Sequence, residues 1–385
     1  MQWGTKMKKA LFVTHNSRFL VQFEMNDIRI LQTMGLEVHC ATNFRGEMMR
    51  KDAEKTLTDA GVICHSIDIE RSPFKLGQNI RAVFELRQLM RQEKFALVHC
   101  HTPMGGVVGR LAANAEHVRP VMYTAHGFHF YKGCPLQNRL IYEPIESTLA
   151  HITDAQLTIN REDYAAAQKF KLRGRAYYVP GIGVDVEKLS HVPVDRKAER
   201  EKLGIPEDAY VFVSVGELNK NKNHLAAIHA FEKTAIPNAY YLVCGTGPLA
   251  EYYRVMLEEK GLTDKVKLLG FRSDVSDILR ACDCFVFPSH REGLSVSLME
   301  AMAAGLLCIA SRIRGNVDLL SDSRYLFDPV DEETLGRLMQ EAAAGVQTEE
   351  EKEKNRVMIQ KYDVSNASRC MKEIYETMLK MGDAK

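Results

Sequence analysis

Short runs of β-branched and aromatic residues alternate along the whole chain with longer stretches whose apolar positions recur every three or four residues. The runs KKALFVT (8–14), LEVHCAT (36–42), ICHSID (63–68), ALVHCH (96–101), PVMYTAH (120–126), AQLTIN (155–160) and AYYVPG (176–181) predict strands. The segments between them predict helices; in 79–91, for instance, Ile80, Val83, Phe84 and Met90 are expected to share one side. Strands this apolar fit a sheet covered on both faces, hence a parallel sheet flanked by helices. The pattern then restarts. Beyond the charged stretch 191–209 come YVFVSVGE (210–217), YYLVCGTG (240–247), VKLLGF (266–271), CFVFPS (284–289), LLCIAS (306–311) and YLFDP (325–329), again separated by helical segments. This predicts an α/β protein of two doubly wound, Rossmann-like domains, 1–185 and 186–363, with a hinge near 183–205. A C-terminal helical segment, 364–385, is expected to pack back on the first domain. Ligands of such sheets gather at the carboxyl ends of strands and at helix N-termini, so a cleft between two facing domains is the expected site.

Length agrees with this division, because 385 residues exceed what one core usually supports. A net charge of +1 gives no general attraction to nucleic acid, and none is expected as a partner. The nine cysteines are scattered through apolar runs such as CDCFVF and YLVCG; Cys282 and Cys284 lack the spacing of a zinc knuckle or redox pair. Reduced core thiols and a cytoplasmic setting follow. No apolar run reaches the roughly 18 residues of a membrane span. The first six residues read as an extension before Met7. The segments 80–95 and 168–175 set Lys and Arg beside apolar positions. A peripheral contact with anionic lipid on the inner face of the cell membrane and a plain solvated helix face explain them equally well.

Chemistry concentrates in CFVFPSHREGLSVSLMEAMAAGLLCIAS (284–311). A buried strand ends at Pro288–Ser289, a polar loop holds Glu292, and a helix starts near Ser295, its expected cap, and stops at Gly305. Glu300 lies on that helix, about 8 Å along from Ser295 at 1.5 Å per residue. Two acids thus flank a helix N-terminus whose free amides and dipole suit an anion. A diphosphate on the amides, with one acid taking sugar hydroxyls and the other ribose hydroxyls, fits this set.

Glu292, seven residues and Glu300, within EGLSVSLMEAMAAG, resemble the signature of the retaining family 4 glycosyltransferases of GT-B fold. The segments HTPMGGVVGRLAA (101–113), YTAHGFHFYKG (123–133), LTINREDYAAAQKF (157–170) and YYVPGIGVD (177–185) are similar to the bacterial exopolysaccharide and capsule branch of that family. The resemblance implies transfer of a sugar from a nucleotide diphosphate donor, a UDP-sugar, to a glycan or lipid-linked acceptor with retention. By the family's pattern Glu292 contacts the transferred sugar, Glu300 the ribose, and the amides of Gly293 and Leu294 the donor. His126, in TAHGFHF (124–130), matches the histidine that reaches the donor sugar.

In VSVGELNKNKNHLAAI (213–228), Gly216 permits close backbone approach, and Lys220 and Lys222 would neutralise a diphosphate leaving group. The family has Arg five residues before the Lys; Glu217 stands there instead, to orient a lysine or meet a sugar hydroxyl. Gly245 and Gly247 are read as admitting the diphosphate, and Arg272 as lying against the base. The family's Gly-Gly loop after the first strand is replaced by THNSRFLVQF (14–23), where Asn16 and Ser17 are candidates for phosphate or acceptor. His99 and His101 alternate on one strand, yet no acid sits at a useful spacing; neither metal nor cofactor is expected. Two rival readings are a UDP-sugar epimerase on the same fold and a non-catalytic nucleotide-binding partner subunit.

Overall fold

A computed structural model of the chain describes residues 7–45, 48–191 and 194–383, so the suggested extension before Met7 lies outside the described residues. They divide into two units, Met1–Ile182 with Ser365–Lys385, and Gly183–Val364. Each contains one fully parallel sheet.

The first sheet has seven strands: β1 (Lys9–Val13), β2 (Glu37–Thr42), β3 (Ile63–Ser66), β4 (Leu97–His101), β5 (Val121–Ala125), β6 (Ala155–Thr158) and β7 (Arg175–Tyr178), in the order β3-β2-β1-β4-β5-β6-β7. The second has six: β8 (Tyr210–Val215), β9 (Ala239–Cys244), β10 (Val266–Gly270), β11 (Cys284–Phe287), β12 (Leu307–Ser311) and β13 (Leu326–Phe327), in the order β10-β9-β8-β11-β12-β13. Every strand run read from the sequence is a strand. In both sheets the chain winds outward one way and then restarts at the middle. The switch points therefore fall between β1 and β4 and between β8 and β11, where strand-end loops diverge and leave a crevice.

Central strands β4, β5, β6 and β12 are buried along their whole length, as two-sided coverage requires. The helix Pro103–Ala115 comes unusually close to its sheet, and three glycines permit it. A Cβ on Gly105 would lie 2.7 Å from the Thr14 Cα, one on Gly106 2.5 Å from the Tyr123 ring, and one on Gly109 2.5 Å from the Cys100 Sγ.

The helix Leu76–Glu93 differs from expectation. Its core face is Asn79, Ala82, Leu86, Leu89 and Met90, whereas Ile80 and Phe84 are exposed and do not share Met90's side. At 100° per residue Ile80 and Phe84 lie opposite Ala82 and Leu86, which the sheet covers; Leu76 joins them on the outer face. The C-terminal helix Val364–Asp383 lies against the first sheet: the Tyr375 hydroxyl is 2.8 Å from His99 Nδ1 and donates to Asp27 at 3.0 Å, and Asn26 donates to Ser368 at 2.8 Å. All nine cysteines are free, and Cys40, Cys100, Cys244, Cys282, Cys284 and Cys308 are buried.

Asp154, buried at the start of β6, accepts from Arg173 Nε and the Val121 amide, both at 2.8 Å, and from Arg119. Burial pushes its pKa up, but these donors outweigh it and hold the carboxyl below its usual 3.8. A depressed carboxylate stabilises the fold above the unfolded value and loses that contribution as pH falls through the folded one. Asp154→Ala should therefore cost about 3 kcal/mol at neutral pH, by analogy with broken buried ion pairs. In thermal melts the gap to the parent chain should close below pH 3.8; a constant gap would remove the ion pairs as its cause.

Candidate functional site

In the second unit the switch point brings together the loop after β8 (216–223) and the loop after β11 (288–295). Lys222 Nζ lies 2.8 Å from Glu292 Oε1 and 4.8 Å from the centre of the Phe287 ring. Its methylenes cross Gly216, where a Cβ would stand 3.3 Å from them. The two loops are laced further by His290 N donating to the Asn221 carbonyl at 2.8 Å, Asn221 Nδ2 to the Arg291 carbonyl at 2.9 Å, and Asn223 Nδ2 to the Pro288 carbonyl at 3.2 Å. Glu217 accepts from Asn219 Nδ2 at 2.8 Å, and Asn219 Oδ1 in turn accepts from Lys222 N at 2.9 Å; Lys220 is exposed.

Gly245 and Gly247 have a packing role. A Cβ on Gly245 would lie 1.9 Å from the Gly216 carbonyl oxygen, and one on Gly247 2.6 Å from the Leu218 backbone. Only glycine lets the loops after β8 and β9 meet. Arg272 is held by Asp274 of its own loop, with Nε 2.7 Å from Oδ1.

The helix Val296–Ala303 begins as the sequence implies: the Ser295 hydroxyl accepts from Leu298 N at 3.3 Å, and Gly305 follows its end at φ 83°. Gly293 and Leu294, half-buried, lead into this cap. Glu300 is half-buried on the helix, and burial raises its carboxyl above the usual 4.5. Two contributors escaped sequence reasoning. Arg314, buried, donates from Nε to the Glu292 carbonyl at 3.1 Å, placing a guanidinium beside Glu292 although Glu217 replaces the expected arginine. Gly315, at φ 79°, packs where a Cβ would stand 2.2 Å from the Gly293 carbonyl oxygen. Both belong to the segment after β12, and no residue spacing connects them to Glu292.

In the first unit the switch-point loops follow β1, β4 and β5. Asn16 caps the short helix Ser17–Phe19 by accepting from Arg18 N, and Ser17 is fully buried. Thr102, at the unusual φ of 62°, has its Oγ1 2.8 Å from His15 Nδ1 and 3.3 Å from Thr14 Oγ1. His126 follows β5 and is half-buried. Its position is fixed by the next residues: Gly127 turns at φ 140°, Phe128 and Phe130 stack at 4.7 Å in the core, and Phe128 N donates to Asp163 at 3.1 Å. Asp163 is in turn held by Asn160, the cap of the next helix, which explains why TAHGFHF and LTINRED occur together.

The expectation that the strand histidines lack an acidic neighbour fails. A π-turn at Leu20–Glu24 delivers Glu24, far upstream in sequence, to 3.2 Å from His101 Nδ1 and 3.5 Å from His126 Nε2. His99 packs its ring 4.1 Å from that of His101, but its nitrogens are taken by Thr124 and Tyr375. Burial lowers the pKa of both His101 and His126 to about 3 and raises that of Glu24.

Residues 195–364 match the family model for glycosyl transferases group 1, and residues 8–158 that for glycosyl transferase 4-like proteins. The glycosyltransferase EpsD of Bacillus subtilis is 36% identical over 326 residues, 83% of each chain. An Escherichia coli enzyme, UDP-Gal:alpha-D-GlcNAc-diphosphoundecaprenol alpha-1,3-galactosyltransferase, is 33% identical over 250 residues, 63% of this chain and 64% of its own. Among solved structures, HepE of Anabaena in complex with UDP and glucose superposes with a TM-score of 0.78 at 19% identity, covering 96% of this chain and 100% of HepE.

Because an acid whose pKa is raised in the fold ionises first in the unfolded chain, Glu300 withdraws stability as pH rises through its folded value and none below the unfolded one. Glu300→Gln should therefore melt higher than the parent at pH 7 and equally at pH 4 or below. An equal melting point at pH 7 would show that burial of this carboxylate costs the fold nothing.

Proposed function

This chain belongs to the family 4 glycosyltransferases of GT-B fold, and from that premise we propose that it moves a sugar from a UDP-sugar to a glycan or lipid-linked acceptor with retention, in surface polysaccharide synthesis. The observation that carries this reading is the Lys222–Glu292 ion pair at the switch point, beside the Ser295-capped helix bearing half-buried Glu300. In this reading the diphosphate meets the amides of Gly293 and Leu294 at the helix N-terminus. Lys222 and Lys220 offset the charge that grows on it as the glycosidic bond breaks, so no metal ion is needed at the phosphates. Glu292 holds the transferred sugar and Glu300 the ribose. His126 works on the sugar side, and Asn16 lies toward the acceptor, whereas Ser17 is fully buried and does not reach it. Among the described residues we place no side chain as a base, and the departing phosphate takes the acceptor's proton on the same face. The diphosphoundecaprenol-linked sugar in the name of the Escherichia coli galactosyltransferase supports a lipid-linked acceptor.

The test is a donor panel with and without candidate acceptors, following release of nucleoside diphosphate. Glu292→Ala should lower transfer by about 10²–10³-fold, the usual effect of losing one preorganised electrostatic group, with an unchanged circular dichroism spectrum. An active, folded variant would remove Glu292 from the site. Appearance of an isomerised donor, or donor binding without turnover, would favour the epimerase or the bystander instead.

We place the enzyme in the cytoplasm, as its free thiols suit, with peripheral contact to anionic lipid. Among the described residues no helix is long and apolar enough to cross a membrane. The outer face of the helix Leu76–Glu93 supports a surface contact: Leu76, Ile80 and Phe84 are 66%, 55% and 60% exposed, with Phe74 beside them, while Arg87 and Arg91 of the same helix are engaged by Glu116. Such a face inserts apolar groups at the headgroup level. The double variant Ile80→Gln, Phe84→Gln should lose co-sedimentation with anionic vesicles while donor turnover on a soluble acceptor persists. Undiminished vesicle binding would sink the assignment of this face.

A further inference from the structure

Three side chains of the first unit converge on one point. Glu24 Oε1, His101 Nδ1 and His126 Nε2 are separated by 3.2, 3.3 and 3.5 Å, nearly an equilateral triangle. Ligand atoms about 2.0–2.1 Å from a tetrahedral zinc ion stand about 3.3–3.4 Å from one another. Adjacent ligands at the same bond length around an octahedral ion would stand about 2.8–3.0 Å apart. The observed triangle has the tetrahedral size.

His101 Nδ1 and His126 Nε2 can share one hydrogen bond at 3.3 Å, but the Glu24 carboxylate oxygen stands outside it. Two groups sharing a proton point at each other, whereas ligands of an ion point at a third place. Glu24 Oε1 lies within 3.2 Å of an imidazole nitrogen, yet among the described residues it has no hydrogen-bond partner. Glu24 and His101 are 2% and 0% exposed. A buried carboxylate without a bond is costly unless a cation reaches it.

The local fold is shaped to produce the triangle. The π-turn at Leu20–Glu24 advances the helix by one residue; ordinary α geometry there would swing Glu24 about 100° away. Phe12 stacks on His101 at 5.5 Å, and Phe19 meets the His126 ring edge-on at 4.7 Å, walling the point with apolar surface. Only His126 is partly open, its side chain 24% exposed, so a fourth coordination position faces that side.

We propose that Glu24, His101 and His126 form a three-ligand zinc site whose fourth position takes water or a ligand hydroxyl. Two imidazoles and one carboxylate at tetrahedral spacing select zinc over magnesium or calcium, which require more oxygen ligands. The site concerns His126 directly, because an Nε2 held by the ion leaves the ion, rather than the ring, to meet a hydroxyl. The proposal does not depend on the sugar-transfer reading, and its measurement needs no sugar.

The test is metal binding by the full chain. Chelator-treated protein is titrated with Co²⁺, and visible d–d absorption reports a four-coordinate ion. One equivalent should bind with strong bands, be displaced by Zn²⁺, and Zn²⁺ should raise the melting temperature by mass action. Glu24→Gln and His126→Asn should each lose the bands, while His191→Asn, at an exposed histidine, keeps them. Should Glu24→Gln fail to fold, His126→Asn at the partly open ring decides the matter. Absence of saturable one-equivalent binding, weak octahedral-type bands, or bands retained in His126→Asn would overturn the proposal.

Discussion

In a doubly wound sheet the two middle strands hand their chains to opposite sides, and nothing in the sheet itself ties their loops together. The Lys222–Glu292 ion pair supplies that tie in the second unit. Around it, Gly216 yields space for the lysine stem, Arg314 takes the Glu292 carbonyl, and Asn221 and Asn223 reach the loop after β11. The strands set where the loops begin; this contact sets how far apart they stand, and with that the place of the helix starting after Ser295.

Two acids of this protein, Glu300 and Glu24, resist ionisation because they are buried. Glu300 is half-buried in a helix otherwise sealed by Leu298, Met299, Ala301 and Met302, and its carboxyl resists ionisation accordingly. Glu24 is more extreme, enclosed by aromatic rings and facing two neutral imidazoles. A carboxylate held this way withdraws stability when it ionises. Structural acids show the opposite arrangement: Asp154 meets two guanidiniums and an amide, and its charge is satisfied without any ligand.

The first unit is closed by the end of the chain. Tyr375 reaches His99 and Asp27, so the C-terminal helix secures the strand whose last residue, His101, belongs to the histidine cluster. Thr102, strained at φ 62°, and the glycines of the following helix press the same strand end toward β1. Packing at the back of the sheet thus fixes side chains at its working edge.

The sequence by itself determined the strands and their order of appearance, because two-sided burial demands unbroken apolar runs and helices demand a different period. It determined the acid pair and its capped helix as well, since Glu292, Ser295 and Glu300 lie within nine residues and local geometry fixes their spacing. Only the tertiary structure decided which face of the helix Leu76–Glu93 is covered, because its apolar residues surround it and the sheet selects one side. The close approach of the loop after β8 to Gly245 and Gly247 was likewise set only by the fold. Arg314 at Glu292, and Glu24 at His101 and His126, join residues far apart in the chain. Such pairs arise from which strands become neighbours and, for Glu24, from one added residue in a helical turn, and no one-dimensional pattern records either.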